Sequence, residues 1–232
     1  MADISTLDPN ILNAVTDFEH NIIHDLWISL VSREASLLGR KEVLTGKAKF
    51  GILGDGKEVP QVAMARAFQK GDWRSGYYRD QTFALATEIC GVKEYFAQLY
   101  ADSDNDTQSK GRQMNAHFAS PTIDKKGNWL DTTETYNSSS DVSCTAGQMS
   151  RALGIALASK KLRNLEDMKS VLTHTGNGNE ISWCTIGDAS TSEGAFWETI
   201  NAAAVMQVPL LTVVWDDGYG ISVPTELQTA KG

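Results

Sequence analysis

Between Thr16 and about Leu38 the apolar residues Phe18, Ile22, Ile23, Leu26, Leu30, Val31 and Leu38 return at helical spacing, which predicts one amphipathic helix opening the fold. After a Gly-rich stretch through Gly56, a second helix is expected from about Glu58 to Gln69, with Pro60 tolerated in its first turn. The segment from Gly71 to Asp80 mixes turn formers with aromatics and two arginines, Arg74 and Arg79, and two short helical patterns follow over roughly 81–100. From Asp102 to Ser143 the periodicity vanishes. That stretch is rich in Asp, Asn, Ser and Thr yet carries Arg112, His117, Phe118, Trp129 and Tyr136. A loop of such length in a compact domain is a binding loop or a mobile one.

Small residues then crowd a helical stretch from Ala146 to Lys161, which predicts a helix packed closely on its neighbour. Beyond a turn at Gly176-Asn-Gly-Asn lies a β-prone run, Ile181 to Ile186, followed by Gly187-Asp188-Ala189-Ser190. Ser190 and Glu193 fit a capping box that opens a helix to about Met206. After Pro209 a second β-prone run, Leu210 to Trp215, ends at Asp216-Asp217-Gly218-Tyr219-Gly220. Strand, helix and strand with short links make a parallel βαβ unit. Asp188 and Asp217 then each lie just past a strand's C-terminal end, where open parallel sheets bind ligands.

Composition narrows the class of partner. The chain has 232 residues, 41% hydrophobic and 22% charged, which suits one globular domain over 1–232 with a helical segment at 1–56 and a long active-site loop region at 102–143. With 29 acidic against 21 basic residues the net charge is −8, which argues against nucleic acid or an anionic membrane surface as partner. No apolar run approaches the roughly 18–20 residues of a membrane helix, and the acidic first ten residues are unlike a secretory signal. The expectation is a soluble, cytoplasmic protein. Cys90, Cys144 and Cys184 are odd in number and widely spaced, as for reduced thiols.

A helix N-terminus beside two carboxylates suits magnesium bridging to a phosphate or diphosphate, while Gly187 and Ala189 let the backbone approach a ligand. The spacing alone also allows Asp188 to be a plain helix cap and Asp216-Asp217-Gly218 a plain turn. Other motifs fare worse. Gly51 to Lys57 fits GxxxxGK, but Glu58 stands where a P-loop needs Ser or Thr. There is no GxGxxG after an expected strand and no GxSxG elbow. His20 and His24 share i, i+4 spacing but lack the Glu of HExxH.

Gly187-Asp188-Ala189, 26 residues and then Asp216-Asp217 resemble the thiamine-diphosphate signature, GDG followed at similar distance by NN. The flanks Ser192-Glu193-Gly194, Asn201-Ala202-Ala203 and Gly218-Tyr219-Gly220-Ile221-Ser222-Val223-Pro224 look like the alpha subunit of the decarboxylating component of 2-oxo acid dehydrogenase complexes. The likeness extends upstream through Gly71-Asp72-Trp73 and Tyr77-Tyr78-Arg79-Asp80 to the stretch from Gly111 to Phe118, whose Gly-Arg-Gln-Met start and His117 are closest to branched-chain types. It covers most of the chain in order.

The resemblance implies a three-layer α/β/α fold with a mainly parallel sheet, and a magnesium ion held by Asp188, Asp217 and the backbone carbonyl of Tyr219. It places Gly187, Ala189, Ser190, Tyr78, Arg79, Ser143 and Ile221 around thiamine diphosphate, and His117 at the substrate end. It further implies decarboxylation of a branched-chain 2-oxo acid or pyruvate, acyl transfer to a lipoyl acyltransferase, and a β subunit or fused β domain that completes an oligomeric enzyme. Alternatives are an acetoin dehydrogenase-type enzyme and a noncatalytic assembly homologue. Departures from the family pattern are Asp216-Asp217 for the Asn pair, Ser143-Cys144-Thr145 for a Ser-Pro-Leu-like segment, and Gly147 for a hydroxyl residue. Family alpha subunits also continue beyond the point where this chain stops, so the chain alone is expected to be inactive.

Overall fold

The computed structural model describes residues 17–165 and 178–230, so the first ten residues, Thr16 and half of the expected turn at Gly176 lie outside it. The chain divides into two compact units, one from the N-terminus to Arg66 plus Gln81–Asn115, the other Ala67–Asp80 plus Ala116 onward. No helix among the described residues is long and apolar enough to cross a membrane.

The first unit contains α1 (Asp17–Leu44), α2 (Glu58–Ala67), α3 (Gln81–Ala86) and α4 (Val92–Leu99). The opening helix is present and runs six residues past the expected Leu38, but it turns a different face inward. Ile28, Ser32, Ala35, Ser36, Gly39 and Glu42 are buried, whereas Phe18, Ile22, Leu26, Leu30 and Leu38 of the apolar stripe are exposed. The reason is a polar ladder at the core. Gln81 Nε2 donates to Ser32 O at 2.8 Å and its Oε1 accepts from the Gly54 N–H at 3.2 Å, while Ser32 and Thr82 hydroxyls share a 2.7 Å bond. Satisfied buried hydrogen bonds and small side chains thus outweigh periodicity in choosing the face.

Glu58 starts α2 and is 8% exposed, bound by both Arg33 nitrogens at 2.7 and 2.8 Å and by the Gly56 N–H at 3.0 Å. Burial alone would raise its carboxyl, but these donors outweigh it and depress the group from the ordinary 4.5 to about 2. A depressed acid contributes stability above its unfolded value and loses it as pH falls through the folded one. The first unit is therefore expected to weaken between about pH 5 and pH 2. Glu58→Gln should flatten that limb in urea unfolding followed against pH, and an unchanged acid limb would contradict the assignment.

The second unit holds β1 (Trp73–Ser75), β2 (Asn137–Ser138), α5 (Gly147–Asn164), β3 (Ser182–Gly187), α6 (Gly194–Met206), β4 (Leu210–Trp215) and a hairpin of β5 (Tyr219–Gly220) and β6 (Val223–Pro224). The four longer-range strands form one parallel sheet in the order β2-β1-β3-β4. The result is an α/β fold with a parallel sheet flanked by helices, in keeping with an α/β/α layering. The β3–α6–β4 unit appears as expected, with Ser182 opposite Leu210 and Gly187 opposite Trp215. Behind it, Ala146, Met149 and Ala152 of the small-residue stretch pack on Cys184 and Ile186, joined by Phe196, Ile200 and Leu210. The segment over 102–143 is largely irregular, but Asn137–Ser138 pairs with β1, and Asn137 Nδ2 donates to the carbonyls of Asp72, Thr132 and Thr135. Neither β1 nor β2 shows in the periodicity, because two or three residues cannot display an alternation.

Candidate active site

Because Gly187 and Trp215 end their strands opposite each other, Asp188 and Asp216 leave the sheet side by side at its C-terminal edge, with the Asp188 N–H donating to Trp215 O at 3.2 Å. Asp188 is 6% exposed, and its Oδ2 accepts from the Gly218 N–H at 2.9 Å and the Thr225 hydroxyl at 2.6 Å. Burial pushes this carboxyl up, but Thr225 and the backbone N–H groups of Ala189 and Gly218 outweigh it and hold it below the ordinary carboxylate value. It is ionised at neutral pH. Asp216 Oδ1 accepts from the same Gly218 N–H at 3.0 Å. Asp217 Oδ2 lies 3.2 Å from Arg79 Nη2.

Arg79 comes from a 3-10 turn, Tyr78–Asp80, that follows β1. Its guanidinium lies over the Tyr78 ring at 5.5 Å and bonds the Tyr78 hydroxyl at 3.3 Å, and Tyr77 packs edge-on against Tyr78. Burial pushes the Tyr77 phenol well above its ordinary range. A Cβ on Gly187 would come within 3.1 Å of the Tyr77 hydroxyl oxygen, so glycine keeps the strand end open. A Cβ on Gly220 would fall 2.7 Å from Ala189 Cβ, which places Ala189 under the β5–β6 hairpin.

The structure thus brings Gly187, Asp188, Ala189, Asp217, Tyr78 and Arg79 to one edge, while Ser190 sits half-buried in the turn that leaves it. The Tyr219 side chain is exposed, and Ile221, at φ +58° on the hairpin tip, is fully exposed. Left-handed backbone at a β-branched residue is strained, so this tip is the least relaxed point of the site. His117 is buried and pairs through Nε2 with the exposed Ser143 Oγ at 2.9 Å.

The helix expected to open at Ser190 does not. Residues Ala189–Ser192 form a 3-10 turn, α6 begins at Gly194, and neither Asp188 nor Glu193 makes a side-chain cap bond. The Thr191 and Ser192 hydroxyls instead bond the carbonyls of Asp188 and Ala189 three residues back, which favours the tighter turn. The α6 N-terminus is displaced accordingly. Residues that sequence reasoning assigned no role are Thr225, Tyr77, Arg74, Asp80, Asp141 and Trp215, all bonded or packed behind this edge. Only an Arg lying between turn formers and Asp80 hinted at them.

The profile of the family described as Dehydrogenase E1 component matches residues 30–231. The chain is 32% identical over 187 residues to the 2-oxoisovalerate dehydrogenase subunit alpha of Bacillus subtilis, covering 80% of this chain and 48% of that one. It is 26% identical over 183 residues to the mitochondrial 2-oxoisovalerate dehydrogenase subunit alpha of Mus musculus, covering 79% and 35%. The Arabidopsis thaliana mitochondrial subunit alpha 2 is 28% identical over 183 residues, covering 79% and 32%. The chain spans about half, or about a third, of the length of these curated relatives.

Proposed function

Because the chain belongs to the dehydrogenase E1 component family, we propose that it carries the metal- and diphosphate-holding half of a thiamine-diphosphate site in a branched-chain-type 2-oxo acid dehydrogenase. The observation that carries the reading is the meeting of Asp188 and Asp216-Asp217 at the ends of β3 and β4 with Arg79 facing Asp217. The donor set fits: ionised carboxylates suit magnesium, and a planar guanidinium suits a diphosphate. Arg79 and Asp217, which neutralise each other in the chain alone, would divide between the diphosphate and the cation. Asp188, fixed by Thr225 and Gly218, would keep its second oxygen for the metal, joined by Asp217 and the Tyr219 carbonyl. Gly187, Ala189 and Ser190 would let the backbone approach the diphosphate, with Tyr78 opposite, and Ser143 and Ile221 would lie toward the rest of the cofactor.

Bound thiamine diphosphate supplies the electron sink that lets carbon dioxide leave a 2-oxo acid. At the substrate end His117, its ring held by the Nε2 bond to Ser143 Oγ, would meet the 2-oxo acid. Acyl transfer to a lipoyl acyltransferase, and a β subunit or fused β domain completing the site, follow from the same reading, so the chain alone is inactive. The exposed apolar stripe of α1 supports an oligomer, and a cytoplasmic setting suits the composition.

Calorimetric titration of thiamine diphosphate with magnesium tests the reading. Binding should vanish with EDTA and fall at least about a hundredfold in Asp188→Ala, with Asp188→Asn intermediate. Binding indifferent to magnesium and to both substitutions, or none even with a β-type partner chain present, would sink it.

A further inference from the structure

Arg74 is fully buried, and every N–H of its guanidinium is engaged. Nε donates to Asp80 Oδ2 at 2.7 Å; Nη1 donates to Asp141 Oδ1 at 3.0 Å and to Ser138 Oγ at 2.8 Å; Nη2 donates to Asp141 Oδ2 at 3.1 Å and to the Tyr77 carbonyl at 3.1 Å. Both carboxylates are buried too, Asp80 at 0% and Asp141 at 5% exposure. Asp80 also accepts from Trp215 Nε1 at 2.7 Å and from the Thr185 hydroxyl in a short bond. Asp141 Oδ2 accepts from the Phe118 N–H at 3.0 Å, and the Asp141 N–H returns a bond to Phe118 O at 3.0 Å.

The chain neighbours of these groups form the pattern. Asp80 follows Arg79, Trp215 precedes Asp216-Asp217, Phe118 follows His117, and Asp141 stands two residues before Ser143. A buried ion cluster is a poor source of stability, because desolvation offsets its attraction, so fixing geometry is its better use. We infer that Arg74 is a positioning residue whose guanidinium couples the Arg79–Asp217 edge to the His117–Ser143 pair through Asp80 and Asp141. The inference rests on the reading of the site proposed above and adds to it a means of holding its two ends in register. Lysine cannot replace the planar fork that spans both carboxylates.

The test uses two indole N–H groups of one unit. Trp215 Nε1 bonds Asp80 inside the cluster, whereas Trp183 Nε1 bonds Asp72 Oδ2 at 3.0 Å outside it. In Asp141→Asn, and in Arg74→Lys should the first variant fold poorly, hydrogen exchange followed by NMR is expected to be about tenfold faster at Trp215 and unchanged at Trp183. Equal acceleration at both indoles, the mark of general loosening, or no change at either, overturns the inference. The same variants should weaken magnesium–thiamine diphosphate binding about tenfold, although Asp141 lies on the His117 side. Where the wild type binds, undiminished affinity in the variants overturns it as well. If the wild type does not bind even with a β-type partner chain present, the functional reading fails, and the exchange result alone decides the coupling.

Discussion

Gly76→Ala is expected to prevent the second unit from folding, with a loss of at least about 4 kcal/mol. A methyl group at Gly76 would lie 2.5 Å from both Arg74 Nη2 and Thr185 Oγ1, and closer still to Asp80 Oδ2. None of these atoms is the free end of a flexible chain. Arg74, Asp80 and Thr185 are all fully buried, and each is tied by several hydrogen bonds. Making room for one carbon means pulling a guanidinium off its carboxylates inside the protein, which costs far more than the usual 1–3 kcal/mol of overpacking an apolar core. Gly154→Ala is the control. It lies in α5 with nothing within 4 Å of its added Cβ, so relief of glycine's helix penalty should stabilise the chain by about 0.5–1 kcal/mol. Urea unfolding of both variants decides the matter, and a Gly76→Ala protein within 1 kcal/mol or so of wild type would show that the cluster yields easily.

What the sequence made legible follows the range over which each signal acts. The β3–α6–β4 unit was readable because six-residue strands and a thirteen-residue helix are long enough to display their periods, and because Pro209 and the flanking glycines mark the ends. The pairing of Asp188 with Asp216-Asp217 then follows from parallel strands alone. The face of α1 was not readable, because its choice depends on Gln81 and Thr82, some fifty positions away, bonding Ser32 and Ser36. The 3-10 turn after Asp188 was hidden for a local reason. Ser190 and Glu193 have capping-box spacing, but two neighbouring hydroxyls compete for carbonyls and win. The Arg74 cluster was hidden most completely, since its members stand at 74, 80, 141, 185 and 215 and an isolated charge in a sequence reads as surface.

Removing the central charge should reveal what those carboxylates experience without it, and the effect should depend on pH in a direction opposite to ordinary acid unfolding. Arg74→Met fills much of the same volume but leaves Asp80 and Asp141 buried without their cation, a defect expected to cost about 3–5 kcal/mol near neutral pH. In the wild type, burial already pushes the Asp141 carboxyl above its ordinary value against the pull of Arg74. Without Arg74 that upward push is unopposed. A carboxyl raised in the folded state binds protons that the unfolded chain has released, so the variant's stability falls as pH rises through the interval between the unfolded and folded values. Lowering the pH from 8 toward 5 should therefore narrow the gap between variant and wild type. The Glu58 limb sits lower and belongs to the first unit, so it leaves this comparison undisturbed. Adding Asp141→Asn to Arg74→Met removes one stranded charge and should restore about 1–2 kcal/mol at pH 8 while flattening the pH dependence. Urea unfolding at several pH values measures both. A variant that loses the same amount at pH 5 and pH 8 would mean that water, not protons, relieves the stranded carboxylates, and the cluster would then be far less sealed than its burial indicates.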